Sequence, residues 1–130
     1  MQLKFALLAL IATAIVAGPV AAQSLSPMRN QGETPSHIKG FKLYVGNPYR
    51  TKMTFEVLPM DSQFRTLAAD AAVNFPELTM APGMTRQVIV TFRIDPAIKE
   101  RTIGVCVQPK SIAGTVLPRV CGTYTGRLRS

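Results

Sequence analysis

Over residues 38–128 apolar positions recur every second residue, which predicts strands with one buried face rather than helices. Ile38 to Val45 turns Phe41, Leu43 and Val45 inward and Lys42 and Tyr44 outward, and Gly46-Asn47-Pro48 ends the run. Met53, Phe55 and Val57 alternate with Thr54, Glu56 and Leu58 in a strand closed by Pro59. Thr85 to Ile94 sets Val88, Val90, Phe92 and Ile94 on one face, and Asp95-Pro96 ends it. Ile103, Val105 and Val107 alternate with Thr102, Gly104, Cys106 and Gln108, and Val116, Pro118, Val120, Gly122 and Tyr124 return with a similar parity. Two weaker strands are expected, at Ser24 to Gln31 around Pro27 and at Phe75 to Met80 before the turn Ala81-Pro82-Gly83. Gly32 to Ser36 reads as a polar turn. Asp61 to Ala72 is short and Ala-rich, and reads as a loop or a brief helical turn. About seven short strands, with turn signals every eight to twelve residues or so, predict an all-β, immunoglobulin-like β-sandwich.

The chain is organised around its last two strands. Between them lies the turn-rich stretch Pro109-Lys110-Ser111-Ile112-Ala113-Gly114. With the turn centred on Ala113-Gly114, Cys106 falls directly opposite Cys121. Opposed residues of an antiparallel pair have Cβ atoms about 4.5–5.5 Å apart, closer where the pair is not hydrogen-bonded. A disulfide spans about 3.5–4.5 Å between Cβ atoms, so the closer pair type can be bridged. The same register puts Val105 and Val107 on one face with Gly122 and Val120, and both sulfurs on the other. Two free thiols are the alternative. A bridge would close a loop of about 15 residues and contribute roughly 3 kcal/mol by the chain-entropy argument. A chain of this size can fold on its core alone, so the bridge would fix a hairpin rather than rescue a fold.

The first residues stand outside this pattern. Lys4 precedes the apolar run Phe5 to Val16, Gly18-Pro19 breaks it, and Val20-Ala21-Ala22 supplies small residues before Gln23. That layout is a secretory signal peptide over residues 1–22, with an apolar run too short to span a membrane. A single domain over residues 23–130 is then expected in the periplasm, or at the cell surface, with no stable membrane insertion after cleavage. An oxidising compartment favours pairing of the two cysteines. The chain holds 15 Lys and Arg against 7 Asp and Glu, a net charge of +8 that falls to +7 with loss of Lys4. Its cations are scattered over Lys39, Lys42, Arg50, Lys52, Arg65, Arg86 and Arg93, without a dense run or interleaved aromatics. They read as a solvated surface and argue against a nucleic-acid partner.

Catalytic readings find no footing. His37 is the single histidine, whereas a nucleophile triad needs a base oriented by a third group. No cysteine or second histidine accompanies it, so no metal site is assigned. Asp61 and Asp70 do not make a carboxylate pair, and no phosphate-cradling glycine loop is present. No catalytic residue and no cofactor is expected. Tyr44, Tyr49 and Tyr124 read as rim residues or as a binding face.

The residues gathered so far resemble the N-terminal immunoglobulin-like domain of PapD-like periplasmic chaperones of pilus assembly. Lys99, Glu100, Arg101, Cys106 and Val107 fall on the places of that family's signature. Thr102 and Gly104 depart from it, where the family has an aliphatic and an aromatic residue. Asn47-Pro48 after Leu43-Tyr44-Val45 resembles the family's asparagine after its second strand, and Leu78 to Gly83 before Val88-Ile89-Val90 its proline-glycine turn. Ser26-Pro27-Met28-Arg29 resembles the opening strand with its basic residue. A branch of the family carries a disulfide between the last two strands of this domain, as Cys106 and Cys121 could.

The resemblance implies a chaperone that lends an edge strand to a pilin-like subunit, with an usher as a further partner. Main-chain hydrogen bonds supply affinity in such a contact, and alternate side chains fill pockets. Val116, Leu117 and Val120 would be the donor residues. The family also clamps the subunit's terminal carboxylate with two basic residues, for which Arg29 and Arg127 are the candidates here. Pro118 lies inside the donor stretch and is compatible only with an edge. The family's second domain has no counterpart in these residues. The rival expectation is an exported immunoglobulin-like structural or adhesive module of the cell envelope. A weaker third is binding of acidic polysaccharide or lipid headgroups through the net positive charge.

Overall fold

The computed structural model describes residues 24–110 and 118–129. The leader expected at residues 1–22, the turn expected at Ala113-Gly114, and Val116 and Leu117 therefore lie outside the described residues. Among the described residues nine strands follow in chain order: β1 (Ser24–Ser26), β2 (Arg29–Thr34), β3 (Ile38–Gly46), β4 (Met53–Met60), β5 (Ala71–Val73), β6 (Glu77–Met80), β7 (Thr85–Arg93), β8 (Glu100–Pro109) and β9 (Val120–Leu128). They form two sheets, ordered β1-β3-β7-β5 and β2-β9-β8-β4-β6. This is the all-β immunoglobulin-like sandwich that the period-two pattern predicts.

The alternating residues meet between the sheets. Phe41, Leu43, Val45, Val88, Val90, Phe92 and Ile94 face Phe55, Val57, Leu78, Met80, Ile103, Val105, Val107 and Tyr124 in one buried cluster. Tyr124 is not a rim residue: it is fully buried, and its hydroxyl donates to the Pro27 carbonyl at 2.6 Å. Its ring lies 5.9 Å from that of Phe41, and burial pushes its hydroxyl up to about 12. Asn47 is also buried. Its Nδ2 donates to the carbonyls of Met80 and Thr51 at 2.9 and 3.0 Å, and its backbone exchanges hydrogen bonds with Gly83 and Met84. One side chain thus joins the end of β3 to the turn between β6 and β7.

Three elements differ from the sequence expectation. The single strand expected over Ser24 to Gln31 is two strands in different sheets. β1 runs antiparallel to β3, with Leu25 opposite Val45, whereas β2 runs parallel to β9, with Arg29 opposite Thr123. Pro27 has no N–H to extend the first ladder, and the chain crosses to the second sheet there. Gly32 to Thr34 accordingly belongs to β2 rather than to a turn. Next, β4 does not close at Pro59 but continues to Met60, opposite Gly104. Val57 donates to Pro76 on the flank away from β8, and Pro59 accepts from Ala68 on that flank. The missing proline N–H therefore falls outside the β4–β8 ladder. Lastly, Ala71–Val73 forms β5 on the edge beside β7, where the sequence suggested loop or helical turn. Among the described residues no helix is long and apolar enough to cross a membrane.

Candidate functional site

The site grows from the β8–β9 hairpin. Odd-numbered residues of β9 turn their N–H groups toward β2, as Thr123 does in donating to the Met28 carbonyl at 2.9 Å, and even-numbered ones toward β8, as Leu128 does in donating to Lys99. Cys121 consequently faces Cys106 as a non-hydrogen-bonded pair, the kind in which opposed residues approach most closely. Their Cα atoms are 4.1 Å apart and their sulfurs are bonded. Both sulfurs sit on the outer face of the sheet, while Val105 and Val107 turn inward.

Among the described residues the edge of β9 is unpaired over a short length. β2 covers Thr123 to Leu128, so most of the strand is interior to the sheet. Among the described residues no strand lies beside Val120–Gly122 on that side. Among the described residues the main-chain groups of Cys121 therefore face an unpaired lane, in line with β2, that stops at Met28 and Arg29. Val120 stands opposite Val107, half-buried and packed against the core cluster. It turns inward at the mouth of the sandwich rather than out to solvent.

The two basic candidates are not brought together. Arg29 begins β2 and is exposed, with no ion pair among the described residues. Arg127 lies four ladder positions further along β9, about 13 Å at the usual strand rise. Its Nε and Nη2 donate to Glu100 Oε1 at 2.9 and 2.6 Å. Arg101 works structurally, donating to the carbonyls of Arg93 and Ala69 at 2.9 and 2.7 Å. It thereby ties β8 to the end of β7 and to the loop before β5.

That loop supplies the residue the sequence did not reveal. Asp61 organises it, its carboxylate accepting the N–H groups of Gln63, Arg65 and Thr66 and the Thr66 hydroxyl. These bonds hold the Asp61 carboxyl below its ordinary value, the Arg65 N–H contributing most. Phe64 emerges with φ 59° and lays its ring against Gly104 on the outer face of β8. Arg119 Nη2, just before β9, donates to the Phe64 carbonyl at 3.0 Å. A cleft of about 340 Å³ opens beside it, bounded by Met28, Arg29, Phe64, Cys121, Gly122 and Thr123. The bare α-carbon at Gly104 was the one signal in the sequence that another element packs there.

No family model matches the chain, and no curated protein resembles its sequence significantly. Solved structures do resemble it. The E. coli chaperone DraB superposes with a TM-score of 0.65 at 17% identity, over 82% of this chain and 55% of DraB. A chain of the Salmonella enterica SafA pilin–SafB chaperone complex gives 0.66 at 16% identity, over 88% of this chain and 58% of that one. PapD-like domain 7 of human CEP192 gives 0.63 at 9% identity, over 97% and 98% of the two chains. The shared property is the fold, a PapD-like immunoglobulin-like domain. The chain spans somewhat over half the length of the two bacterial structures and nearly the whole of the human domain.

Proposed function

We propose that the protein is a periplasmic, pilus-chaperone-like factor that binds a pilin-like subunit along the open edge of β9. The observation that carries this reading is the lane beside Val120–Gly122. It exposes main-chain groups of a strand whose other side is clamped to β8 by Cys106–Cys121. An edge left open on a rigid hairpin is a template for an added strand. Val120 would contribute its inward methyls to the subunit, with Val116 and Leu117 extending the donor stretch. A subunit strand running parallel to β9, as β2 does, would bring its terminal carboxylate to Arg29. Arg127 could assist only by leaving Glu100.

The experiment is periplasmic co-expression of the tagged protein with pilin-type subunits that lack one strand of their sheet. Co-elution at equal stoichiometry, lost in Val116→Asp/Val120→Asp, is the expected result. A subunit retained by that double variant, or never retained by the unaltered chain, would refute the reading.

A second reading has its own support. The same fold occurs in PapD-like domain 7 of human CEP192, so it is not confined to chaperones and suits a module of structural or adhesive kind. A homo-oligomer that survives both aspartate substitutions would favour it.

A further inference from the structure

We infer that the cleft beside the open lane is a specificity pocket, which takes one large apolar side chain from the outer face of the partner strand, with Phe64 as its selecting wall. This rests on the edge-strand reading above and adds which face of the partner is read, and by what.

Phe64 carries the argument. A bulky residue with φ near +60° is uncommon, and such outliers persist only where their surroundings fix them. Here the Phe64 N–H donates to the Asp61 carbonyl at 3.0 Å, Arg119 donates to the Phe64 carbonyl, and the ring rests on Gly104. Yet the residue is only partly buried. Three contacts hold an aromatic ring in an unfavourable backbone conformation with one side toward solvent. Met28, 50% exposed, and Cys121 of the disulfide line the same cleft. An open cleft lined by a phenylalanine, a methionine and a half-cystine suits an aliphatic or aromatic side chain.

The lane decides what brings that side chain. Its floor is the main chain of β9, and β2 already lies on that strand further along, through a bond that begins at Met28. Only an extended polypeptide can pair in this way, and every second side chain of such a strand rises on the outer face. One of them reaches the cleft. At the mouth stands Arg29, without an ion pair among the described residues, whereas Glu33 and Glu100 are already engaged by Arg129 and Arg127. The free cation favours a partner segment that is anionic next to its apolar residue.

The test places the photo-crosslinker p-benzoylphenylalanine at position 64, or at 120 for reference, in the full chain, which is irradiated in its native cells. Both positions should join one partner segment. The residue joined at 64 should be Leu, Ile, Val, Met or Phe, and Val120→Asp introduced with the crosslinker at 64 should abolish that joining. Phe64→Gly suits the positive φ and should weaken capture of that partner about tenfold, on the scale of an interface anchor. Phe64→Leu should stay near the unaltered protein, and Met28→Gln should weaken capture in the same sense as Phe64→Gly. A partner joined at 120 but not at 64, or captured undiminished by Phe64→Gly, would overturn the pocket and leave the edge-strand reading intact. No partner joined at either position would overturn both.

Discussion

The ring of Phe64 occupies the space that a side chain on Gly104 would need. A methyl added at Gly104 would run into that ring and come 2.8 Å from the Asp61 carbonyl oxygen, which is backbone and cannot swing away. Gly104→Ala should therefore destabilise the protein by about 1–3 kcal/mol, the usual range for overpacking, read as a lower denaturant midpoint. Adding Phe64→Gly should recover part of that loss. Full additivity of the two changes would show that the ring and the glycine do not share one space.

The Tyr124 hydroxyl predicts a pH dependence. Its ordinary value is 10.0, and burial raises it to about 12 in the folded protein. The unfolded chain then loses this proton first as pH rises. The stability tied to the neutral hydroxyl is complete below about pH 10 and is lost as pH climbs toward about 12. Thermal melts over that window should fall more steeply for the unaltered protein than for Tyr124→Phe. At neutral pH, Tyr124→Phe leaves the Pro27 carbonyl without its 2.6 Å partner and should cost about 1–2 kcal/mol.

Those two residues also mark where reading the sequence succeeds and where it stops. Leu43, Val88, Val90 and Val105 are legible because a strand between two sheets must alternate, and each of them turns inward as its parity requires. Cys106 opposite Cys121 is legible because a hairpin's register follows from local spacing. Pro27 signals that a ladder ends, but not where the chain goes next. That depends on β9, 97 residues later, where Tyr124 meets the Pro27 carbonyl. β5 is obscured because Ala71 and Ala72 carry too little side chain to show a period. Phe64 is obscured because its position depends on a positive φ and on a glycine in another strand, neither of which leaves a pattern nearby. Arg127 matches its candidate role only by proximity in sequence, and register places it far along the ladder from Arg29.

Asn47 should behave as a structural bracket rather than a surface residue. Asn47→Leu keeps the branched shape but removes the donor to Met80 and Thr51 and the acceptor for the Tyr49 N–H. Buried carbonyls left without partners cost about 1–3 kcal/mol. The loss should appear as a lower midpoint together with faster amide exchange at Gly83 and Asn47, whose N–H groups donate to the Asn47 and Met84 carbonyls. Unchanged exchange at that turn would show that the backbone contacts hold it unaided.

The open lane makes a prediction that needs no partner in hand. Thr123 and Cys121 both turn their N–H groups toward the β2 side, but among the described residues only Thr123 finds an acceptor there, the Met28 carbonyl. Hydrogen exchange should therefore be slow at Thr123 and fast at Cys121, although the two residues are near neighbours in one strand. Val120 and Gly122 point toward β8 and should be protected through the hairpin ladder. Cys106→Ala/Cys121→Ala removes the link, and with it roughly 3 kcal/mol by the loop-closure argument. Protection at Val120 and Gly122 should then collapse first, because β2 does not reach them, while Thr123 to Leu128 keep theirs until global unfolding. Binding of a strand in the lane should slow Cys121 selectively. Slow exchange at Cys121 in the isolated protein would mean that its own chain already fills the lane, and no partner strand could then pair there.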